Sequence, residues 1–448
     1  MKNRTGSDQR ASDNSVPCAC RRSRLRSVVW SVFLVVAVID PSRAQTNPNV
    51  LPPEAASACS VYGGWIDVKT GRSIDRGEFF RDLPAKASVV LLGESHTDVD
   101  HHYWQLQTVA ALYGQGTNVV IGFEAFPRRL QSVLDDWVEG KLTDEAFLKA
   151  SEWRHVWGYD AALYMPLFEF ARLNRVPMIA LNVERKLVSQ VGQQGWENVP
   201  AAEREGLSDP APATGAYQRE LARVFLLKRT MSAEALERLS QGQGQGPSPP
   251  VADETELAET VKHPEFIRFL EAQLTWDRAM AEALAGAKRS FPNATIVGVL
   301  GSGHVQEGHG VPHQLKALGI PKQMTLIPVS TDVACRQVGT SYADVIFTLP
   351  HTDETPPPER PRLGVLLAEG DGAPRIDRVV NDSVAEITGL KAGDHVVRAA
   401  GLEMRTSGEL ADTVARQAPG TWLPLSIRRD GQEIDMIAKF PARPRQDP

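Results

Sequence analysis

Two short units of the same form, Gly93-Glu94-Ser95-His96 and Gly301-Ser302-Gly303-His304, each close a run of apolar residues, Leu91-Leu92 and Val299-Leu300. Two more apolar runs end on polar side chains. Ile121-Gly122-Phe123 leads into Glu124, and Ile179-Ala180-Leu181 leads into Asn182, with Glu184 and Arg185 next. Carboxylates beside imidazoles can move protons, and two imidazoles with one carboxylate make a workable metal shell that keeps an open position. His96, His304 and Glu124 are the metal-ligating candidates, for an ion such as Mn, Co or Zn. Glu94 or Glu124 would then be the general base acting on a bound water, which makes Glu94, His96, Glu124 and His304 the catalytic candidates of a hydrolase. Taken singly, a Glu or His just past a strand is commonly a loop residue or a helix cap. Recurrence at four such places argues for one shared site.

The elements that must position these residues are short. Apolar runs of strand length fall at 88–92, 119–123, 176–181, 295–300 and 324–329. They are continuous rather than alternating, as expected of strands covered on both faces. Helical patterns lie between them at 99–113, 160–173, 217–229 and 264–284, and Thr97 or Asp98 could cap the first. Strand–helix alternation predicts an α/β domain with a mostly parallel sheet flanked by helices. Ligands of such sheets bind beyond the carboxyl ends of the strands, so Glu94, His96, Glu124, Asn182 and His304 are expected along one edge. Gly93, Gly301 and Gly303 let the chain turn there and approach a ligand. Of His101 and His102, one is expected to face the site and the other solvent. His309 and His313 have the spacing of helical ligands, but Pro312 suggests a helix start and a loop before it. His155 lies among Trp153, Trp157, Tyr159 and Tyr164, a cluster that would pack a core or wall a flat apolar cofactor. Tyr or His can ligate haem iron.

The chain of 448 residues is 42% hydrophobic and 23% charged, with a net charge of −6. That length suits two or three domains, and the charge gives no basic field for nucleic acid. Seven Lys and Arg residues up to Arg26 precede the apolar run Val28 to Ile39, and Ser42-Arg43-Ala44 has the small residues of a cleavage site. Residues 1–44 therefore read as a secretory signal peptide, with an uncleaved anchor as the alternative. No other segment is apolar for long enough to span a membrane. Export, to a compartment such as the periplasm, would leave Cys59 and Cys335 in the mature chain, where they can pair as a disulfide. Lipid attachment at Cys59 is disfavoured because the apolar core ends well upstream. Residues 200–253 form a Pro/Gly-rich insertion, including the low-complexity run at 241–250. The Pro-rich segment 351–360 is an extended linker, separating a domain at 59–350 from one at 361–443.

The first of these domains resembles the ChaN-type haem-binding uptake proteins, within the superfamily of Tiki and TraB proteins and erythromycin esterases. The matching stretches are LLGESHTDVDHH at 91–102, VVIGFEAFPR at 119–128, WGYDAALYMPLFEFAR at 157–172, VPMIALNVERKLV at 176–188 and GVLGSGHVQEGHGVPHQL at 298–315. The paired Gly-x-x-His units and the acids Glu94 and Glu124 resemble those of the superfamily. The resemblance implies haem binding and iron uptake, with haem at a contact between protomers of a homodimer, or else the metal-dependent hydrolysis of other branches. For haem, the candidates are His96, Tyr159, Tyr164, Asn182, Arg185 and His304, with Arg128 or Arg185 available to the propionates.

The second domain resembles bacterial PDZ modules of periplasmic proteases. Arg362-Leu363-Gly364-Val365-Leu366 is similar to their carboxylate-binding loop, so Leu363, Gly364, Val365 and Leu366 are the peptide-binding candidates and a protein C-terminus is the expected partner. A strand is expected at 395–399, a helix at 409–418, and a hairpin of 423–428 with 433–439 about Asp430-Gly431.

Overall fold

The computed structural model describes residues 62–230, 253–331, 338–350, 361–368 and 373–442. The signal segment, Cys59, Cys335, the low-complexity run and the 351–360 linker lie outside these residues. The chain divides into two compact units, Met1–His351 and Thr352–Pro448.

The larger unit is built on an eight-stranded sheet. Its strands are β1 (Trp65–Asp67), β2 (Ser73–Ile74), β3 (Val89–Glu94), β4 (Val119–Pro127), β5 (Met178–Asn182), β6 (Thr295–Gly301), β7 (Gln323–Ser330) and β8 (Val345–Leu349). They lie in the order β2-β1-β8-β7-β3-β6-β4-β5. From β8 to β5 every pairing is parallel, while β1 and β2 add an antiparallel edge. The period of two along each strand divides its side chains between two cores. Val89 and Leu91 face one core with the long helix Pro264–Ser290, and Val90 and Leu92 face the other with the helices Val99–Gly114 and Ala161–Leu173. This double burial is why the strands read as unbroken apolar runs.

Chain order explains the site. After β3 the chain runs to one side through β4 and β5, returns as β6 between β3 and β4, then crosses to β7 and β8 on the other side. The connections thus diverge between β3 and β6, the kind of switch point beyond whose carboxyl ends parallel sheets bind ligands. The four strands that carry polar ends, β3, β6, β4 and β5, are consecutive neighbours. The 99–114 helix is capped by Asp98, whose carboxylate accepts from the Asp100 and His101 N–H groups. The expected 264–284 helix runs six residues further, to Ser290. A third apolar cluster joins the helices Gly215–Thr230 and Glu254–Thr260 to the start of the long helix through Tyr217, Leu221, Phe225, Leu257 and Phe266.

The smaller unit pairs β9 (Val365–Leu367) with β10 (Ile376–Val379), and forms a four-stranded antiparallel sheet, β12-β11-β13-β14. Its strands are β11 (His395–Ala399), β12 (Leu402–Glu403), β13 (Trp422–Arg429) and β14 (Gln432–Lys439). Asp430 and Gly431 both have positive φ, as a tight two-residue hairpin turn requires. The helix expected at 409–418 occupies Ser407–Ala415.

Candidate functional site

Glu94 is the last residue of β3 and pairs in register with Gly301, the last residue of β6. Two glycines let these strand ends interlock. A Cβ on Gly93 would stand 2.9 Å from Ser302 Oγ, and one on Gly301 would stand 2.9 Å from His96 Cε1. Each Gly-x-x-His unit therefore makes room for a side chain of the other. Glu124 lies inside β4 rather than past it, at a break in register with β5 between Phe123 and Pro127. Its Oε2 accepts from the Gly301 N–H at 2.7 Å.

The result is a buried chain of acids and imidazoles. Glu94 is 1% exposed, Glu124 3% and His304 1%. Glu94 Oε1 lies 2.8 Å from His96 Nδ1 and accepts from the Tyr164 hydroxyl at 2.7 Å. His102 Nδ1 is 3.3 Å from Glu94 Oε2. His304 Nε2 is 3.5 Å from Glu124 Oε1, and His304 Nδ1 is 2.7 Å from Asp277 Oδ1. Asp277 Oδ2 in turn accepts from the Tyr217 hydroxyl at 2.9 Å.

The charges follow from these contacts. Burial disfavours ionised Glu94, but the His102 imidazole and the bonds from His96 and Tyr164 more than offset it and hold the carboxyl at about 2. Burial likewise opposes charge on His96, yet the bond to Glu94 and the field of Glu124 raise its pKa. His304 is raised against its burial by Glu124 and Asp277. Burial pushes the Tyr159 and Tyr164 phenols up, reinforced by Glu124 at the first and Glu94 at the second.

The structure sorts the sequence candidates by what each side chain touches. Glu94, His96, Glu124 and His304 come together. His96 keeps 10% of its side chain exposed, and its ring lies 4.8 Å from Trp157 and 5.0 Å from Tyr159, which are both buried. Tyr164 is buried and its hydroxyl is committed to Glu94, so it does not wall an open cleft as expected. Asn182 holds strands together, donating to the Glu124 carbonyl and accepting from the Val183 N–H. Arg185 is exposed and donates to the Val156 carbonyl. Arg128 instead turns to the long helix, donating to the Ala279 carbonyl at 2.8 Å and approaching Glu282. His155 is exposed. His101 does not face solvent as expected: its ring turns back so that Nδ1 accepts from the Ser95 N–H at 2.9 Å, because the helix start brings both rings over the β3 loop. Among the described residues, no group of three His, Cys, Asp or Glu side chains is disposed to hold a metal ion.

Sequence reasoning missed Asp277 and Tyr217. Neither lies near a strand end or in a motif. The available signal was Asp277 itself, an acid set among apolar residues on a helix whose whole middle is buried.

In the smaller unit, Leu363 is buried in the core and Gly364 has φ +81°. A Cβ there would meet Ser383 Cβ at 2.2 Å. Val365 begins the strand β9, and Leu366 projects outward with 45% of its surface exposed.

The haem-binding uptake family of the Tiki superfamily, described as ChaN, matches residues 82–315, just over half of the chain. No curated protein gives a match. A structure of Campylobacter jejuni ChaN, described by its cofacial haem binding, is 18% identical, covering 63% of this chain and 95% of its own, with a TM-score of 0.44. The HtrA-type protease AlgW with a decapeptide is 26% identical over 19% of this chain and 30% of its own, with a TM-score of 0.18. The HtrA3 PDZ domain with a phage-derived ligand is 20% identical over 17% and 82%, with a TM-score of 0.16.

Proposed function

This chain belongs to the haem-binding uptake family of the Tiki superfamily, and from that premise we propose that it is an exported protein that captures haem at the carboxyl edge of β3, β6 and β4. The observation that carries this reading is the setting of His96. Its Nδ1 is spent on Glu94, which leaves Nε2 as the nitrogen able to ligate, and a carboxylate behind a ligating imidazole fixes its tautomer and raises its basicity. The rings of Trp157 and Tyr159 flank it, and Arg185 stands exposed beside Tyr159. The donor set fits haem: His96 would meet the iron, Trp157 and Tyr159 the porphyrin, and Arg185 a propionate. Bound haem would supply redox-active iron and a visible chromophore. Tyr164 and Asn182 act from behind the site, since their polar atoms are engaged within the protein, while His304 keeps Nε2 toward Glu124.

The smaller unit serves as a PDZ-type arm that grips a peptide C-terminus at Leu363–Leu366, adding it as a strand beside β9. It tethers the haem-binding unit to a partner in the periplasm and so places it in iron uptake.

Titration of haemin into the full chain, followed at the Soret band, tests the haem reading. Saturation at a fixed stoichiometry is expected, and His96→Ala should weaken binding by about 10–100-fold. Equal affinity in that variant would overturn His96 as the ligand, and no binding at all would overturn the reading. A hydrolytic reading draws on a separate observation, the series Glu124, His304 and Asp277, an arrangement suited to proton transfer. Turnover of a peptide or ester by haem-free protein is the result that would favour it.

A further inference from the structure

The site is built twice, from different parts of the chain. On β3, the Tyr164 hydroxyl donates to Glu94, and Glu94 meets His96 Nδ1. On β6, the Tyr217 hydroxyl donates to Asp277, and Asp277 meets His304 Nδ1. Both Tyr–carboxylate–imidazole arms end near Glu124, whose field raises His96 and whose Oε1 lies 3.5 Å from His304 Nε2. The carboxylate of the second arm comes from the long helix and its hydroxyl from the 215–230 helix. We propose that Asp277 and Tyr217 are positioning residues for the haem site, fixing His304 so that Nε2 is the one ring atom it presents there.

Several contacts carry this inference. Asp277 is fully buried and His304 nearly so. At 2.7 Å a proton must lie between His304 Nδ1 and Asp277 Oδ1, so Nδ1 is the protonated nitrogen. Asp277 cannot rotate away, because its other oxygen is held by Tyr217. The Trp276 ring packs on the imidazole at 5.1 Å. The loop closes over the pair at Gly310, where φ is +54° and a Cβ would meet the His304 carbonyl at 2.4 Å and Asp277 Oδ1 at 3.0 Å. Nε2 itself is buried and has no hydrogen-bond partner among the described residues. Its nearest acid is Glu124, at a distance too long for a good bond. A ring locked by one nitrogen and left open at the other is set to exchange a hydrogen bond or a proton with a ligand held at the sheet edge.

Asp277→Asn tests the lock, because the amide has one acceptor and one donor end. The Tyr217 hydroxyl needs the acceptor, so the amide NH₂ turns toward His304 Nδ1, and Nε2 takes the proton, where Glu124 favours it. The readout is ¹⁵N NMR of the histidine rings in the full chain, with His304 assigned by its loss in His304→Gln. In the wild type Nδ1 is expected to keep its proton as pH rises while Nε2 titrates, and in Asp277→Asn the order reverses. Tyr217→Phe, which keeps the carboxylate, should retain the wild-type order. Haemin affinity of Asp277→Asn should fall by about tenfold, the low end of what outer residues of a metal site cost when they are changed. A wild-type proton order in Asp277→Asn would overturn the positioning role, and so would a reversed order with unchanged haemin affinity. The affinity arm rests on the haem reading and the NMR arm does not, so a wild type that binds no haemin would sink that reading while the ring spectra still judge the lock.

Discussion

Replacing Gly301 by alanine asks whether the two Gly-x-x-His units hold each other in place. Gly301 has φ −58° and ψ 136°, a conformation open to any residue, so its backbone does not require glycine. Space does. A Cβ would stand 2.9 Å from His96 Cε1 and 3.1 Å from Nε2. Recovering an ordinary contact of 3.4 Å moves the ring edge by about 0.5 Å, the difference between 3.4 and 2.9. The ring has little freedom to move, being bonded to Glu94 at 2.8 Å and packed against Trp157 and Tyr159. Overpacking of this kind costs about 1–3 kcal/mol. Gly298→Ala on the same strand is the control, because its Cβ would meet only leucine methyls at 3.2–3.3 Å. Urea denaturation and haemin titration should then separate the two variants. Both lose stability, but only Gly301→Ala loses haemin affinity, by about tenfold or more. If Gly301→Ala binds haemin as tightly as the wild type, the reasoning that sets His96 at the iron is wrong.

Two more outcomes follow from the geometry. Glu94 is held at about 2 in the folded protein against an ordinary 4.5. A depressed carboxylate contributes stability above its unfolded pKa and loses it as pH falls through the folded value. The wild type should therefore lose on the order of 3 kcal/mol between pH 4.5 and 2, a limb that denaturation curves of Glu94→Gln should lack. In the smaller unit, Gly364→Ala places a methyl 2.2 Å from Ser383 Cβ at a left-handed φ. Together, strain and clash should cost more than about 2 kcal/mol and abolish binding of a C-terminal peptide by calorimetry. Haemin binding should be unchanged, and its loss would contradict the division into two units.

The alternation of apolar runs and helical stretches, and the polar residues closing four of those runs, were legible without coordinates. A strand buried on both faces must be apolar along its length, so its first polar residue marks the edge where a parallel sheet binds ligands. Glu94, His96, Glu124, Asn182 and His304 could all be found in this way. What each residue does there was not legible. Tyr164 bonds Glu94, Asn182 bonds the backbone at Glu124 and Val183, Arg128 turns to the long helix, and His101 turns inward. Gly301 is needed for the space that His96 fills and not for its own backbone angles. Asp277 and Tyr217 were invisible because a helix carries no mark of which distant strand its buried face will meet. Only the packing of the 264–290 helix against β6, and of the 215–230 helix against that helix, brings the Asp277 carboxylate to His304 and the Tyr217 hydroxyl to Asp277, a contact across the core that no spacing along the chain announces.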